Sequence, residues 1–382
     1  MPRSSGFNSQ SQPTVNTVKK MSLSSVLQKG KAFLTPRTST DSIPKVTAFI
    51  FPKVDPAIDG EDCDHDCETC EVQYPKGFKI DEEEKLYGHV NGFATHMLVA
   101  TGKTDWVKDV SDEKGSVMEA VRDCKVEPSN GKLMLSASNL PLPSHEPYPP
   151  QHRPTTVLLL PAFTFIDNVT PATVPRLINN HVSPAPTTSM PLNHSTLPSR
   201  GSREAPFQTR PCPHKYLILM CSQRTRDARC GQSAPLLKRE FERHLRPLGL
   251  YRDMYDERPG GVGIYFISHV GGHKFSANVM IYRRADAVGK RREVPDEIGN
   301  VNGEIEDGGQ ETGTEKEEDT AGEEEKAKGW EEEEGAQCIW LARVRPEDCE
   351  GIIKYTVLQG KVVKPERQLR GGFDRAKGLT SW

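Results

Sequence analysis

The chain has 382 residues, enough for two domains of ordinary size, and a nearly balanced formal net charge of −3. Only 35% of the residues are hydrophobic, while 31 are glycine and 30 are proline, so a sizeable part of the chain is predicted to be loop or disordered. No run of eighteen apolar residues occurs. We therefore expect no transmembrane helix, and we expect no nucleic-acid partner.

Residues 1–43 form a basic segment rich in Ser, Thr, Pro and Gln, with no acidic residue before Asp41. We predict a disordered basic tail here. The alternative is a mitochondrial transit peptide with a short amphipathic helix over residues 22–34. The chain contains nine cysteines, an odd number that favours a reduced intracellular protein over a disulfide-linked one. We expect a cytoplasmic location, with the mitochondrion as the alternative.

An N-terminal α/β domain is predicted over residues 44–182. Near its start, the segment CDHDCETC contains Cys63, Cys67 and Cys70 together with His65. Short segments rich in Cys and His often bind metals. The neighbouring acidic residues would add negative charge to an anionic thiolate site, which favours a flexible acidic loop over a second metal site.

Two parts of the chain share a strand-to-helix pattern. In residues 169–182 and 344–357, a proline follows the end of an apolar strand, and apolar residues then recur four apart. The aligned positions are Val169, Pro171, Val174, Ile178 and Val182 with Val344, Pro346, Cys349, Ile353 and Val357. We hypothesise two structurally similar halves, which requires the same strand order in both. The open alternative is that such junctions are simply common.

Two further segments separate the predicted folded regions. Residues 183–211 are predicted as a Pro/Ser-rich linker, and residues 291–336 as a disordered acidic insertion within a second domain that comprises 212–290 and 337–382. Residues 304–334 carry fifteen acidic residues and three lysines, so the rest of the chain has a net charge of about +9. A basic folded part suits an acidic partner. The acidic insertion is interpreted as a solvated spacer in preference to a shield for the basic face within the same chain.

The second domain begins with the segment KYLILMCSQRTRDARCG. Residues 215–220 are predicted as a strand that ends at Cys221, and Cys230 follows after eight intervening residues. Ser233 fits an N-cap and Pro235 a first helical turn, so a helix is predicted to begin there. Its apolar face comprises Leu236, Leu237, Phe241 and Leu245. Cys230 would precede a helix N-terminus, where the dipole favours a thiolate over a thiol.

A later strand, residues 262–267, leads into the segment HVGGHKF, which contains His269 and His273. Gly271 and Gly272 lie between the two histidines and favour a turn over a helix. The Cys pair follows one strand and the His pair follows another, so the four side chains can converge on one point. Thiolate and imidazole ligands suit zinc or an iron–sulfur cluster.

Alternatives remain open for these residues. A structural zinc site would use the same ligands, although zinc sites commonly space their cysteines two to four apart. A disulfide between Cys221 and Cys230 is disfavoured in a reducing compartment. Two unrelated pairs of core cysteines and surface histidines are the third possibility. The Cys loop also contains three arginines that favour negative charge nearby, namely Arg224, Arg226 and Arg229.

CSQRTRDARCG followed by HVGGHKFSANV closely resembles the fungal sucrase/ferredoxin-like family of thioredoxin-like ferredoxins. The resemblance extends more loosely from about Thr47 to the C-terminus. It implies an α/β fold with a thioredoxin-like ferredoxin domain on the C-terminal side. Together with the repeated strand-to-helix pattern, this gives the hypothesis that a second, degenerate thioredoxin-like half without ligands precedes that domain. It also implies a 2Fe–2S cluster bound by Cys221, Cys230, His269 and His273.

The resemblance further implies an electron carrier rather than an enzyme, with a flavin-containing reductase as partner. Lys274 and the arginines of the Cys loop would shape the docking surface. The C-terminal Ser381-Trp382 resembles the aromatic-ended tripeptide through which clients contact the cytosolic iron–sulfur targeting complex, so we expect that complex as a second partner, bound through Trp382.

Two other functions remain candidates. One is a zinc-binding structural adaptor linked to actin patch organisation. The other is a thiol oxidoreductase, which is disfavoured because the Cys loop lacks the C-x-x-C spacing of such enzymes.

Overall fold

Twelve β-strands form one sheet that runs through the whole described part of the chain, in the order β12-β11-β10-β9-β6-β8-β2-β1-β3-β4-β5, with β7 beside β8. A computed structural model describes residues 49–143, 154–192, 206–288 and 334–382. The strands are β1 Thr95–Ala100, β2 Leu133–Ser138, β3 Thr155–Leu160, β4 Thr164–Val169, β5 Gln208–Pro211, β6 Tyr216–Cys221, β7 Tyr251–Arg252, β8 Val262–Ile267, β9 Val279–Arg284, β10 Gly335–Leu341, β11 Leu369–Asp374 and β12 Leu379–Ser381. The expected mixed α/β class is confirmed.

Helices connect these strands and cover the sheet. They are α1 Pro56–Asp59, α2 Val117–Asp123, α3 Val174–Leu177, α4 Ala228–Leu245, α5 Cys349–Gly351 and α6 Pro365–Gln368. The helix α3 continues as a π-helix, Ile178–Val182, and α5 continues as another, Ile352–Val357. None of the helices in the described ranges is long and apolar enough to cross a membrane.

The sheet consists of two halves with the same strand order. In the first half, β2 pairs parallel to β1, β1 pairs antiparallel to β3, and β3 pairs antiparallel to β4. In the second half, β8, β6, β9 and β10 repeat this series of pairings. The halves meet where Ser138 of β2 pairs antiparallel with Ile267 of β8. Equal strand order is the outcome that the hypothesis of two similar halves requires.

The aligned strand-to-helix segments have the same local structure in both halves. A 3₁₀ turn begins at Pro171 in one and at Pro346 in the other, and each continues into an α-turn and then a π-helix. The aligned Val174 and Cys349 are both 0% exposed. The residue before each of the two aligned valines, Asn168 or Arg343, has a positive φ, 64° and 58° respectively. The repeated sequence pattern therefore corresponds to a repeated structure.

Both faces of the sheet are covered, which explains why its central strands are apolar throughout rather than alternating. Along β6, Ile218 and Met220 pack into the core on the helical side, while Leu217, Leu219 and Cys221 pack on the other side. All six residues of β6 are buried. The alternation places the sulfur of Cys221 on the face opposite the main helical layer.

Three predicted segments differ from the structure or lie outside the described residues. The strand β5 lies within residues 183–211, which we predicted as a linker. Its four residues contain no apolar run, and it is recognisable only from its antiparallel pairing with β4. The predicted tail, 1–43, and residues 291–333 of the predicted insertion lie outside the described residues.

A buried histidine at the centre of the sheet makes stability dependent on pH. His96 in β1 is 0% exposed, and its ring nitrogens lie 2.9 Å from Tyr282 Oη and 2.9 Å from Ser136 Oγ. Burial lowers the pKa of His96 to about 3, whereas an unfolded histidine has a pKa of about 6.5. The unfolded chain therefore binds more protons than the folded chain between these two pH values.

We predict that the folded protein loses stability as the pH falls through this window, by up to about 1.4 kcal/mol per pH unit from His96 alone. In the variant His96→Asn, the free energy of unfolding should lose the part of its pH dependence that His96 contributes, whatever the overall stability of the variant. Urea unfolding at a series of pH values between 7 and about 4 measures it. The exposed His89→Asn is the control. Identical slopes for wild type and His96→Asn would contradict the prediction.

Candidate metal centre

The parallel pairing of β6 and β8 brings the Cys loop and the His loop to the same edge of the sheet. Cys221 and Ile267 are register partners at the ends of these strands, and His269 follows two residues later. The N–H of Ser222 donates to the carbonyl of Ile267 over 3.1 Å, so the two chains stay paired just beyond the strands. The predicted convergence of Cys221 and His269 therefore follows from the strand register.

Helix α4 begins earlier than predicted. Asp227, not Ser233, is the N-cap, and its side chain accepts a hydrogen bond from the N–H of Arg229. Ser233 is buried inside the helix, and Pro235 lies in its interior rather than in its first turn. Cys230 is consequently the third residue of the helix. The N-terminal dipole therefore acts on its sulfur at closer range than predicted, but the hydrogen bond with Cys221 and burial outweigh it and raise the pKa of Cys230, so the predicted preference for a thiolate at Cys230 is wrong.

Three of the four predicted ligands meet in the structure. Cys221, Cys230 and His269 each offer one donor atom, and these atoms all lie within 4.8 Å of one another. The distance from Cys221 Sγ to His269 Nδ1 is 3.9 Å. Cys221 is 1% exposed and Cys230 0%, while His269 is half-buried. His273 begins a 3₁₀ turn four residues after His269, and its side chain lies outside the described part of the structure.

A hydrogen bond joins the two sulfurs. A hydrogen bond from Cys230 lowers the pKa of Cys221, and the backbone N–H groups of Gln223 and Val270 lower it further. The same hydrogen bond and burial raise the pKa of Cys230. The Cys230 thiol is therefore the donor and Cys221 the acceptor. A metal that takes both sulfurs must displace this proton, so its affinity falls as the pH falls.

A loop of the first half holds the Cys loop in place. The side chain of Gln223, 1% exposed, donates to the carbonyl of Val107 over 2.5 Å and accepts from the N–H of His269 over 2.8 Å. Ser222 Oγ donates to the carbonyl of Thr104 over 2.7 Å. Asp105 accepts from the N–H and the hydroxyl of Thr225. Sequence reasoning missed these contacts because all of them join residues more than forty positions apart.

The buried cation at this site comes from β11 and not from the Cys loop. Arg370 is 3% exposed, its guanidinium donates to Gly271 O and Asn278 Oδ1, and it lies 4.5 Å above the Trp340 ring. Burial lowers the pKa of Arg370 to about 10, and the charge of Cys221 opposes this shift. Arg370 therefore remains charged at neutral pH. No local sequence signal distinguished it from the other arginines.

The predicted arginines of the Cys loop have other roles. Arg224 and Arg226 are exposed. Arg229 pairs with Asp227 over 2.8 Å and donates to the carbonyl of Lys274. These three arginines contribute positive charge to the surface around the site, whereas Arg370 supplies the buried positive charge.

The His loop turns at its two glycines, as predicted. Gly271 and Gly272 have φ values of 80° and 65°, which favour glycine. They lie at the wall of an open groove of about 810 Å³ that reaches His269. The exposed lysines of this groove are Lys85, Lys132 and Lys274.

The structure separates the residues of CDHDCETC. Cys63 is buried and packs with Val54 and Tyr355, whereas His65 is exposed. Cys67 and Cys70 are half-buried, Cys67 Sγ lies 3.8 Å from His244 Nε2, and the thiol of Cys70 donates to the carbonyl of Val72. The four residues therefore do not form one site, because the intervening turns direct them to different neighbours.

Trp382 is packed against the protein. Its ring lies 5.1 Å from Phe93 and 6.2 Å from Phe373, and a side chain at Gly92 would overlap it. Docking of another protein through this indole would require the packing to open.

The fold and the site define a class: a mixed α/β protein with two similar half-sheets, one of which carries a buried Cys–Cys–His cluster. Residues 86–371 match the sequence profile of the sucrase/ferredoxin-like family. The match covers more than half of the chain, and the chain belongs to this family. The assignment suggested by the two motifs is confirmed.

Named fungal relatives share parts of the sequence. Actin patches distal protein 1 of Saccharomyces cerevisiae is 32% identical over 248 residues, 61% of this chain and 75% of the relative. Altered inheritance of mitochondria protein 32 of Clavispora lusitaniae is 25% identical over 198 residues, half of each chain. The Debaryomyces hansenii protein of that name is 36% identical over 39% of this chain and 34% of its own. No solved structure matches the chain.

The two glycines of the His loop provide a test of the Arg370 contact. A Cβ at Gly272 would overlap the Arg370 guanidinium, whereas a Cβ at Gly271 would meet no atom within 4 Å. Both alanine variants carry the left-handed backbone penalty of about 1–2 kcal/mol. We predict that Gly272→Ala lowers the free energy of unfolding by a further 1–3 kcal/mol or so, as overpacking does. Urea unfolding measures the free energy of unfolding of both variants. An equal loss in the two variants would contradict the prediction and show that the Arg370 side chain moves aside without an energetic cost.

Proposed function

We propose that this protein binds a 2Fe–2S cluster through Cys221, Cys230, His269 and His273 and acts as an electron carrier. The observation that carries the proposal is the buried convergence of Cys221, Cys230 and His269, whose donor atoms lie within 4.8 Å of one another. Such a cluster takes up and releases one electron when bound, and the protein sets its potential.

The chemistry of the donor set supports this proposal. Two sulfurs and an imidazole are the ligand types that iron–sulfur clusters use, and eight residues between the cysteines exceed the spacing typical of zinc sites. The backbone N–H groups of Gln223 and Val270 lower the pKa of Cys221, so they stabilise negative charge on its sulfur. Hydrogen bonds to sulfur raise the potential of a cluster because they stabilise added negative charge.

The protein's own residues would also assist the uptake of an electron. Arg370 places a permanent buried positive charge beside Cys221, and its position is fixed by Gly271, Asn278 and Trp340. This charge favours the reduced state electrostatically. His269, at the half-buried edge, is the most exposed of the three described ligands.

The groove beside His269 supports a docking role. Lys274 pairs with Glu84 in this groove, and Lys85 and Lys132 add positive charge, to which an acidic partner would be attracted. We propose a flavin-containing reductase as the electron donor. Binding of the cytosolic iron–sulfur targeting complex through Trp382 and a cytoplasmic location remain part of the proposal.

The halves of the sheet suggest how the family fold is built. We propose that each half is thioredoxin-like, as the family resemblance implies, since each has a parallel strand pair followed by an antiparallel hairpin and a helix. Only the second half carries the ligands in this proposal.

A zinc-binding adaptor is the second candidate. Its support is the tight grouping of Cys221, Cys230 and His269, which also suits a single tetrahedral ion. The name of one relative, Actin patches distal protein 1, is the reason to propose that such an adaptor acts in actin patch organisation.

The metal content of anaerobically purified protein decides between the two candidates. We expect two irons and two acid-labile sulfides per chain, with visible charge-transfer absorption. Cys221→Ser should lose most of this absorption, while Cys124→Ser, which changes a cysteine outside the donor set, should keep it. Colourless protein with stoichiometric zinc bound by Cys221 would support the adaptor. Protein without iron or sulfide would overturn the cluster proposal.

Replacement of one imidazole by a thiolate tests the role of His269. We predict that His269→Cys keeps the cluster but lowers its reduction potential by on the order of 100 mV or more, because a neutral ligand becomes anionic. The potential should also depend less on pH, since one titrating imidazole is gone. Protein-film voltammetry over a pH series measures both effects. His89→Cys adds a thiol to the same groove and is the matched control. An unchanged reduction potential in His269→Cys would exclude His269 as a ligand.

A further inference from the structure

A second group of metal-binding side chains lies at the far end of α4. Cys67, His244 and Glu350 each offer one donor atom, and these atoms lie within 4.8 Å of one another. The distance from Cys67 Sγ to His244 Nε2 is 3.8 Å. His244 is fourteen residues after Cys230 on the same helix, about 21 Å along its axis at 1.5 Å per residue. The group is therefore separate from the Cys221 site.

Backbone hydrogen bonds fix the loop that carries Cys67 and Cys70. The N–H of Cys67 donates to the carbonyl of Glu347 over 3.0 Å, which fixes the loop against the helix that carries Glu350. The N–H of Cys70 donates to the carbonyl of Cys67 over 3.4 Å, so the segment Cys67-Glu68-Thr69-Cys70 is a closed turn. Two cysteines separated by two residues are a common zinc-binding arrangement.

A buried carboxylate lies beneath the group. Glu240 is 0% exposed, and one turn of helix separates it from His244, with 3.8 Å between Glu240 Oε2 and His244 Nε2. Glu240 Oε1 has no hydrogen-bond partner among the described residues. An unsatisfied buried carboxylate oxygen is costly, which indicates that this end of the helix is adapted to additional positive charge or to a further donor.

The guanidinium of Arg243 marks the point where the donor atoms converge. Its Nη2 donates to Cys67 Sγ over 3.6 Å and to His244 Nε2 over 2.9 Å, while its Nε donates to Glu240 Oε2 over 2.9 Å. A guanidinium can only donate, so His244 Nε2 carries its lone pair and is ready to bind a cation. The Arg243 side chain is 34% exposed and can move its Nη2 into solvent.

We propose that Cys67, Cys70, His244 and Glu350 form a second metal site that binds Zn²⁺. Two sulfurs, one imidazole nitrogen and one carboxylate oxygen are all donor types that Zn²⁺ binds in four-coordinate sites. Cys70 joins the other three ligands by giving up the hydrogen bond that its thiol donates to the carbonyl of Val72 over 3.2 Å. Arg243 gives up its contacts with Cys67 and His244 and keeps its bond to Glu240, which remains buried behind the ligands. The site joins the N-terminal loop to α4 and α5, and zinc therefore fixes that loop to the second half of the fold.

Titration of the full chain with zinc chloride against a chromophoric chelator tests the proposal. We expect one zinc per chain at this site, also in Cys221→Ser protein, which separates it from the first metal centre. Cys67→Ser and His244→Asn should each weaken binding by at least 100-fold. The exposed Glu350→Gln keeps the fold and should weaken it by at least 10-fold. Arg243→Met should strengthen it, because a competing cation is removed. Cys124→Ser is the control.

Cobalt substitution supplies a second readout. Co²⁺ at this site should give thiolate charge-transfer absorption that is lost in Cys67→Ser and reduced in Cys70→Ser. Equal zinc affinity in wild type, Cys67→Ser and His244→Asn would overturn the proposal. A disulfide between Cys67 and Cys70 in freshly isolated protein, found by mass analysis after alkylation, together with no zinc binding after its reduction, would also overturn it.

Discussion

The register between β6 and β8 determines the site of this protein. Because the two strands run parallel and end together, Cys221 and Ile267 are paired, and the chains that leave the sheet at this edge must lie side by side. Cys230 then reaches the same point from the first turn of α4. A shift of one residue in this register would turn Cys221 to the helical face of the sheet and disperse the donor atoms.

The two halves of the sheet have divided their roles. They share strand order and strand-to-helix junctions, but the last residue of β1 is Ala100 where the last residue of β6 is Cys221. Leu140 lies two residues after β2, as His269 lies two residues after β8. The first half thus has apolar residues at the positions that carry donors in the second. Its loop instead holds Gln223, through the carbonyl of Val107.

Features encoded by short segments were predictable from the sequence. The strands β6 and β8, the helical segments after Pro171 and Pro346, and the glycine turn of the His loop occur where the patterns placed them, to within one residue for β6. The predicted start of α4 was wrong because Ser233 and Pro235 match the usual signals for a helix start. Asp227 caps the helix earlier, and a helix can begin at the first adequate cap.

Features that depend on distant pairing were not predictable. Arg370 lies 140 residues after Cys230 in the chain. Cys67 and His244 are 177 positions apart, so the sequence around Cys67 suggested the neighbouring His65 as a ligand instead. The edge strand β5 is recognisable only from its neighbour β4. In each case the information lies in the three-dimensional arrangement rather than in any periodicity.

The hydrogen bonds from the loop of the first half also restrict how this protein can be divided. An excised C-terminal fragment beginning near residue 206 would retain Cys221, Cys230 and His269 but lose the carbonyls of Thr104 and Val107. Ser222 and Gln223 would then donate to mobile water instead of to fixed carbonyls, in the loop that carries Cys221. The first half of the sheet, which lacks donor residues, thus holds the Cys loop of the second half in position. Loss of the first half would leave that loop less ordered.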